Sequence, residues 1–565
     1  MAKVIILGGG VAGMSAAHEL IERGFEVEVY ERHKKYPGGK ARSVDVSFPN
    51  LINKKPLPGE HGFRFFPGFY KHVIDTMKRI PVKISNGDNS TVFDNLVSTK
   101  RVRMAREGKK SIISIVSFPK SVNDLKTVLR AMHSDTGLTQ EEESFFAKKV
   151  WQLMTSCYER RTNDYERISW WDYTEADRFS DNYKALFVQG LTRTLVAANA
   201  KKASTKTGGD IFLQLIFNMA NPTINTDRVL NGPTNDAWLY PWLNYLINKG
   251  VKYFYNHEVT KLEMEKGKIS GARVVDRTTD KELLIQGDYY LLALPVERAA
   301  RLMSDELLAA DSTLEGIVKL SSSVAWMNGA QYYLTEKADI VDGHCIYSDS
   351  KWALTSISQL QFWKGFDISL LGDGNVKTIL SVDISDWDTA GHNGMHAKDC
   401  THEQIKDEIW KQISHSLNTD GEKVVPEKVP DLWHIDGDIK QIPGTGEREE
   451  NEEPLLVNTV NSWVLRPESY TAIPNLFLAA DYVRTYTDLA TMEGANEAAR
   501  RAVNGIIDSS GVNASQCELW NLHEPEILNS ARRHDEKRYK AGLPYKEWYP
   551  WWMRLLMAIF KLFKK

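Results

Sequence analysis

Cysteine is scarce in this sequence: four in 565 residues, Cys157, Cys345, Cys400 and Cys517, with no CxxC pair and no ligand-like spacing. That argues against a disulfide framework or a zinc site and suits a reducing compartment. An excess of one charge is also lacking. With 71 basic and 74 acidic residues the chain carries a formal charge of −3, so no global field draws it to nucleic acid. The start, MAKVIILGGG, has one lysine and a short apolar run before its glycines, far less than a secretory or transit segment needs, so a cytoplasmic setting is expected. No internal repeat and no catalytic triad are visible. What is present is a globular composition, 42% apolar and 26% charged, in a chain too long for one hydrophobic core. Two or three domains with interleaved segments are expected.

The glycines at the start carry chemistry. Val4 to Leu7 reads as a buried strand, Val11 to Arg23 as a helix and Glu26 to Tyr30 as a second strand, which is a βαβ unit. Gly8, Gly10 and Gly13 fall in the GxGxxG spacing between strand and helix, with Ala12 in the first helical turn. The first glycine makes the tight turn, the second lets backbone approach a pyrophosphate, and the third lets helix and strand pack closely. Glu31 ends the second strand, followed by Arg32, where an acid can accept hydrogen bonds from an adenosine ribose and would repel a 2′-phosphate. Directly after it comes Pro37-Gly38-Gly39-Lys40-Ala41-Arg42, whose glycines permit close backbone approach and whose Arg42 can offset cofactor charge. An NAD dehydrogenase has no reason to carry this segment. More than 400 residues later Asn475 to Tyr482 reads as a strand ending in Asp481, and Thr491-Met492-Glu493-Gly494-Ala495 opens a helix. A strand-end carboxylate suits a ribityl or phosphate group, and helix-start amides suit negative charge at a flavin N1–C2 carbonyl. The two halves together specify FAD.

These blocks, with Gly59-Glu60-His61-Gly62-Phe63-Arg64-Phe65-Phe66 and Leu230 to Pro295, resemble the amine-oxidase and phytoene-desaturase superfamily, most closely plant- and cyanobacterial-type carotenoid desaturases. The resemblance implies an α/β fold: a Rossmann-type, glutathione-reductase-like FAD domain from 1–75, 225–300 and 470–510, and an interleaved α+β substrate domain from 76–224 and 301–469. It implies that Val259 contacts the adenine side, that Asp481 binds the diphosphate–ribityl region, and that Met492 and Glu493 touch the isoalloxazine edge. Gly62 and Phe63 fall in the block expected near flavin and substrate channel. His61 and Arg64 depart from the family's pattern there. They are either candidate catalytic residues or a loop histidine and a structural ion-pair partner.

Residues from about Asp75 to Asn221 read as mostly helical, with aromatic stretches at 169–173 and 212–217 that fit either pocket walls or ordinary core. About 299–457 is mixed. From 511 to 565 the chain is basic and aromatic. On a helix, Trp552, Leu555, Leu556, Ile559, Leu562 and Phe563 share one face and Arg554, Lys561 and Lys565 the other. Residues 551–565 would reach about 22 Å, short of the roughly 30 Å hydrocarbon thickness, so an amphipathic helix lying on a membrane is expected, or one docked on protein. The expected activity is hydride transfer from a long apolar lipid or isoprenoid to flavin, with quinone or dioxygen as acceptor. A redox-neutral isomerase or dehydroxylase, an amine oxidase with Trp463 and Tyr470 as an aromatic cage, and a non-catalytic FAD-bound membrane scaffold are the alternatives.

Overall fold

Two parts of the chain nearly 500 residues apart lie in one parallel sheet in the computed structural model, which describes residues 1–550 apart from 52–53, 84–88, 119–123, 125, 129–130, 132–133, 193–198, 222–226 and 442–448. The sheet holds β1 (Lys3–Leu7), β2 (Glu26–Tyr30), β3 (Lys252–Phe254), β4 (Tyr289–Leu292) and β5 (Leu476–Leu478) in the order β3-β2-β1-β4-β5. Every neighbouring pair is parallel. Parallel sheets are buried on both faces, which is why β1 is apolar at every position from Val4 to Leu7. Val4 and Ile6 pack with α1 (Val11–Ile21) and α2 (Met492–Ser510), whereas Ile5 and Leu7 pack on the opposite side with Leu262, Ala272 and Val274 of a three-stranded antiparallel sheet. α1 and α2 are joined by a buried hydrogen bond from Asn496 Nδ2 to Ser15 Oγ, 2.8 Å.

A second, seven-stranded sheet runs in the order 109–115, 101–106, 343–347, 354–358, 378–384, 328–334, 432–435. All its pairs are antiparallel except that of 101–106 with 343–347. Helix His402–Leu417 covers one face through Ile405, Ile409 and Ile413. The other face carries His344, Thr355 and Asp383 toward the interior cavity.

The expectation of a mostly helical 75–221 segment is corrected here: Arg101–Arg106 and Lys109–Ile115 are strands of this sheet. Their alternation is hidden by charge, since Arg103 and Arg106 are buried and satisfied by Ile340 O (3.1 Å) and Asp135 O (2.7 Å). The aromatic stretches at 169–173 and 212–217 form ordinary core, with Trp170, Tyr173, Phe212 and Phe217 packed around Phe146 and Tyr183. Beyond 511 the described chain returns to the body. Helix Asn529–Lys540 sends Asp535 to Arg160 at 3.0 Å, Tyr545 bonds Thr155 at 2.8 Å, and Tyr549 stacks on Trp151 at 5.2 Å. The amphipathic helix expected at 551–565 lies outside the described residues. Among the described residues, no helix is long and apolar enough to cross a membrane.

Candidate active site

A cavity of about 640 Å³ begins at the glycine turn and runs between the two sheets. Gly8 has φ +108°, and a Cβ there would lie 2.5 Å from Ala293 O, so the turn admits no side chain. A Cβ on Gly13 would lie 1.9 Å from Gly8 O; Gly13 does not border the cavity but lets α1 close onto β1. Gly10 differs. A Cβ there would meet nothing nearer than Gly39 Cα at 3.9 Å, and both it and Ala12 border the cavity. Glu31 is buried at the cavity wall, where its carboxylate accepts from Gly9 N (2.7 Å) and His33 N (2.6 Å). Burial pushes its carboxyl above the usual range, and those two amides pull it back.

Gly38 and Gly39, with φ of +87° and +57°, lay the next loop across Gly10. Arg32 and Lys40 border the cavity and are paired with Glu453 and, at 3.1 Å, Glu297. Arg42 is placed otherwise than its sequence context suggests. It turns from the cavity to Asp438 at 2.6 Å and Gly39 O at 3.0 Å, since a buried guanidinium needs a carboxylate more than a distant ligand.

Of the 59–66 block, residues 61–65 border the cavity. Glu60 is buried and accepts from Thr234 N (3.0 Å) and Thr234 Oγ1 (2.8 Å), and burial pushes its carboxyl up to about 7. His61 Nδ1 lies 2.5 Å from Asp436 and 3.2 Å from Asp438. Burial opposes its charge, but Asp436 prevails and holds the imidazole at about 8. Gly62 has φ +82°, and a Cβ would sit 2.5 Å from Asp383 Oδ1. Phe63 N–H bonds the Asp383 carboxyl, which burial pushes up to about 7 against the attraction of Arg64. Arg64 borders the cavity and donates to His61 O (2.6 Å) and Gly62 O (3.0 Å).

The late segment closes the site. Asp481 follows β5, borders the cavity, and its Oδ1 is buried without a partner. Thr491 caps α2 by accepting from Gly494 N at 3.2 Å, and Thr491, Met492 and Ala495 put the first turn of that helix against the cavity, which Val259 and Gly62 also line. Glu493 is a correction: it points away and accepts from Lys71 N (2.7 Å), His72 N (2.9 Å) and Val73 N (2.9 Å) at the start of helix His72–Lys78. A carboxylate beside three free amides of a helix start is drawn there rather than to a cofactor edge. Trp463 and Tyr470 do not border the cavity; Tyr470 is exposed and Trp463 lies between Lys206 and Arg484. Reading the sequence missed Asp383, His344, Asp436 and Asp438, which carry no local motif.

A bare glycine facing a cavity, an unpartnered acid and a helix start converging from opposite ends of the chain fit a flavin dinucleotide. Such a fold and site define an FAD-dependent oxidoreductase. The chain belongs to the flavin containing amine oxidoreductase family, whose profile matches residues 11–507. It is 37% identical over 78 residues to a zeta-carotene desaturase of Capsicum annuum, covering 14% of this chain and 12% of that protein. To the zeta-carotene desaturase of Synechocystis sp. it is 23% identical over 314 residues, 54% of this chain and 59% of the other. Among solved structures, putrescine oxidase superposes with a TM-score of 0.57 at 13% identity, covering 90% of this chain and 99% of the other. Cyclohexylamine oxidase from Brevibacterium oxydans does so at 0.58 and 12%, with the same coverage.

Proposed function

We propose that this enzyme oxidises a long apolar lipid or isoprenoid. The observation that supports the reading is the apolar share of the cavity lining, which includes Phe63, Phe65, Leu302, Met327, Leu455 and Leu456. Bound FAD supplies hydride acceptance at its N5. The protein's own contribution is placement and the exclusion of water. Glu31 would hold the adenosine ribose, the Gly8–Gly13 turn and the start of α1 the diphosphate, and Asp481 the ribityl side, while the first turn of α2 would favour negative charge on the flavin. The apolar wall fixes a hydrocarbon chain close enough for hydride transfer. A membrane quinone or dioxygen takes the electrons, and residues 551–565 hold the protein at the membrane surface where such a substrate resides.

Anaerobic incubation of the holoprotein with lipid and isoprenoid candidates tests this: one of them should bleach the flavin, and bleaching by none overturns the reading. Amine oxidation is the second reading, favoured by the oxidases of similar fold. The placement of Trp463 and Tyr470 away from the cavity counts against the cage it was expected to use. Peroxide release with putrescine would establish it.

A further inference from the structure

Two clusters of metal-ligating side chains occur among the described residues, and they differ. In the first, His61 meets Asp436 directly at 2.5 Å and Arg42 meets Asp438 at 2.6 Å, so two acids face two bases and need no ion. The second, Glu107 with His392 and His415, stands more open, and none of its members borders the flavin cavity. Glu107 Oε1 is 3.4 Å from His415 Nδ1, and a Glu107 oxygen is 3.7 Å from His392 Nε2, both long for hydrogen bonds. His392 Nε2 is buried without a hydrogen-bond partner, which is costly. The three ligand atoms lie within 4.8 Å of one another. Ligands of a tetrahedral ion bound at about 2.0–2.2 Å stand roughly 3.3–3.6 Å apart. The two carboxylate contacts are close to that spacing, and the imidazoles reach it by a turn of His415, the most exposed of the three.

The fold fixes these side chains from three directions. Glu107 sits at the turn between strands 101–106 and 109–115, where its N–H donates to Asp349 at 3.0 Å. Two residues on, the Lys109 carbonyl accepts from Thr419 Oγ1 at 3.1 Å, which ties the turn to the end of helix His402–Leu417. His392 lies on a loop whose amides at 392 and 393 donate to Glu408 of the same helix, at 2.6 and 3.1 Å. His415 occupies the last turn of that helix, where the dipole favours a cation. Burial, joined by the charge of Glu107, pushes the Asp349 carboxyl above its usual range, so two acids crowd one place.

We infer that Glu107, His392 and His415 form a zinc site with water in the fourth position, stapling the 101–115 hairpin and the 391–393 loop to the helix end. Two imidazoles and one carboxylate suit zinc, whereas magnesium and calcium prefer oxygen alone. The site uses no cysteine, so the expectation against zinc drawn from cysteine spacing did not reach it.

The test strips the FAD-loaded protein with EDTA, desalts it and titrates it with zinc sulfate against a fluorescent zinc indicator. One equivalent should bind with a Kd of about 10 μM or tighter. His392→Gln and His415→Gln should each weaken binding at least about tenfold. His396→Gln, at an exposed histidine outside the cluster, should leave it unchanged. Zinc should raise the Tm of the native protein and of His396→Gln but not of His392→Gln, and FAD stoichiometry shows that each variant is folded. Weaker binding by the native protein, or binding that either ligand substitution leaves undiminished, overturns the site.

Discussion

At the scale of single residues the site is held by close approach and by charge in equal measure. Gly62 illustrates the first: alanine there must adopt φ +82° and place its Cβ 2.5 Å from Asp383 Oδ1. Gly62→Ala should cost about 1–3 kcal/mol, read as a lower urea midpoint, together with a disturbed flavin spectrum. His61 illustrates the second. Its pKa rises from 6.5 to about 8 on folding, so its contribution is whole below pH 6.5 and is lost as pH climbs through 8. The loss is about 2 kcal/mol. Denaturation at pH 6.5 and 9 should show that loss in the native protein and little of it in His61→Gln; equal losses would refute the assignment. Glu60 and Asp383 act in the same direction over a lower window, because each binds its proton up to about 7 in the folded state, so stability falls as pH rises from about 4. Glu31→Gln keeps the shape but removes the charge facing the adenosine ribose, and should weaken FAD binding about tenfold in an equilibrium titration of apoprotein.

At the scale of elements, what could be read from the sequence was what is local. The turn from β1 into α1 was legible because glycine spacing, apolar run and strand-end acid sit within some 30 residues and each has one physical use. The start of α2 was legible for the same reason, through Thr491 and the glycine it caps. The strands from Arg101 to Ile115 were not, because buried arginines occupy positions where alternation calls for apolar residues. Nor were Asp383 and His344. They reach the cavity only through the order in which strands 343–347, 354–358 and 378–384 pair, and no short window contains that order. Glu493 was misread because a carboxylate in the first turn of one helix serves the start of another, 420 residues away in the chain. The packing of α1 on β1 gives a prediction at this scale: Gly13→Val, whose Cβ would overlap Gly8 O, should yield protein without bound FAD by absorbance at 450 nm, a wavelength of about the usual flavin band.

At the scale of the whole molecule, the described tail is folded onto the body through Asp535, Tyr545 and Tyr549, the last of these on Trp151 of helix Gln140–Thr155. Ending the chain at Pro550 should leave FAD content unchanged and abolish co-sedimentation with anionic liposomes; liposome binding that persists would remove the proposed membrane role of that segment. The pairing of β4 with β5 and the packing of α1 on α2 have a consequence in time as well. A ribosome adding about 5–20 residues per second needs tens of seconds between the first glycine turn and the strand that completes its sheet. Throughout that interval the nascent chain carries a dinucleotide loop with one wall missing. Cofactor capture therefore waits for the synthesis of β5, and a chain that stops before Leu476 should fail to take up FAD however much is supplied.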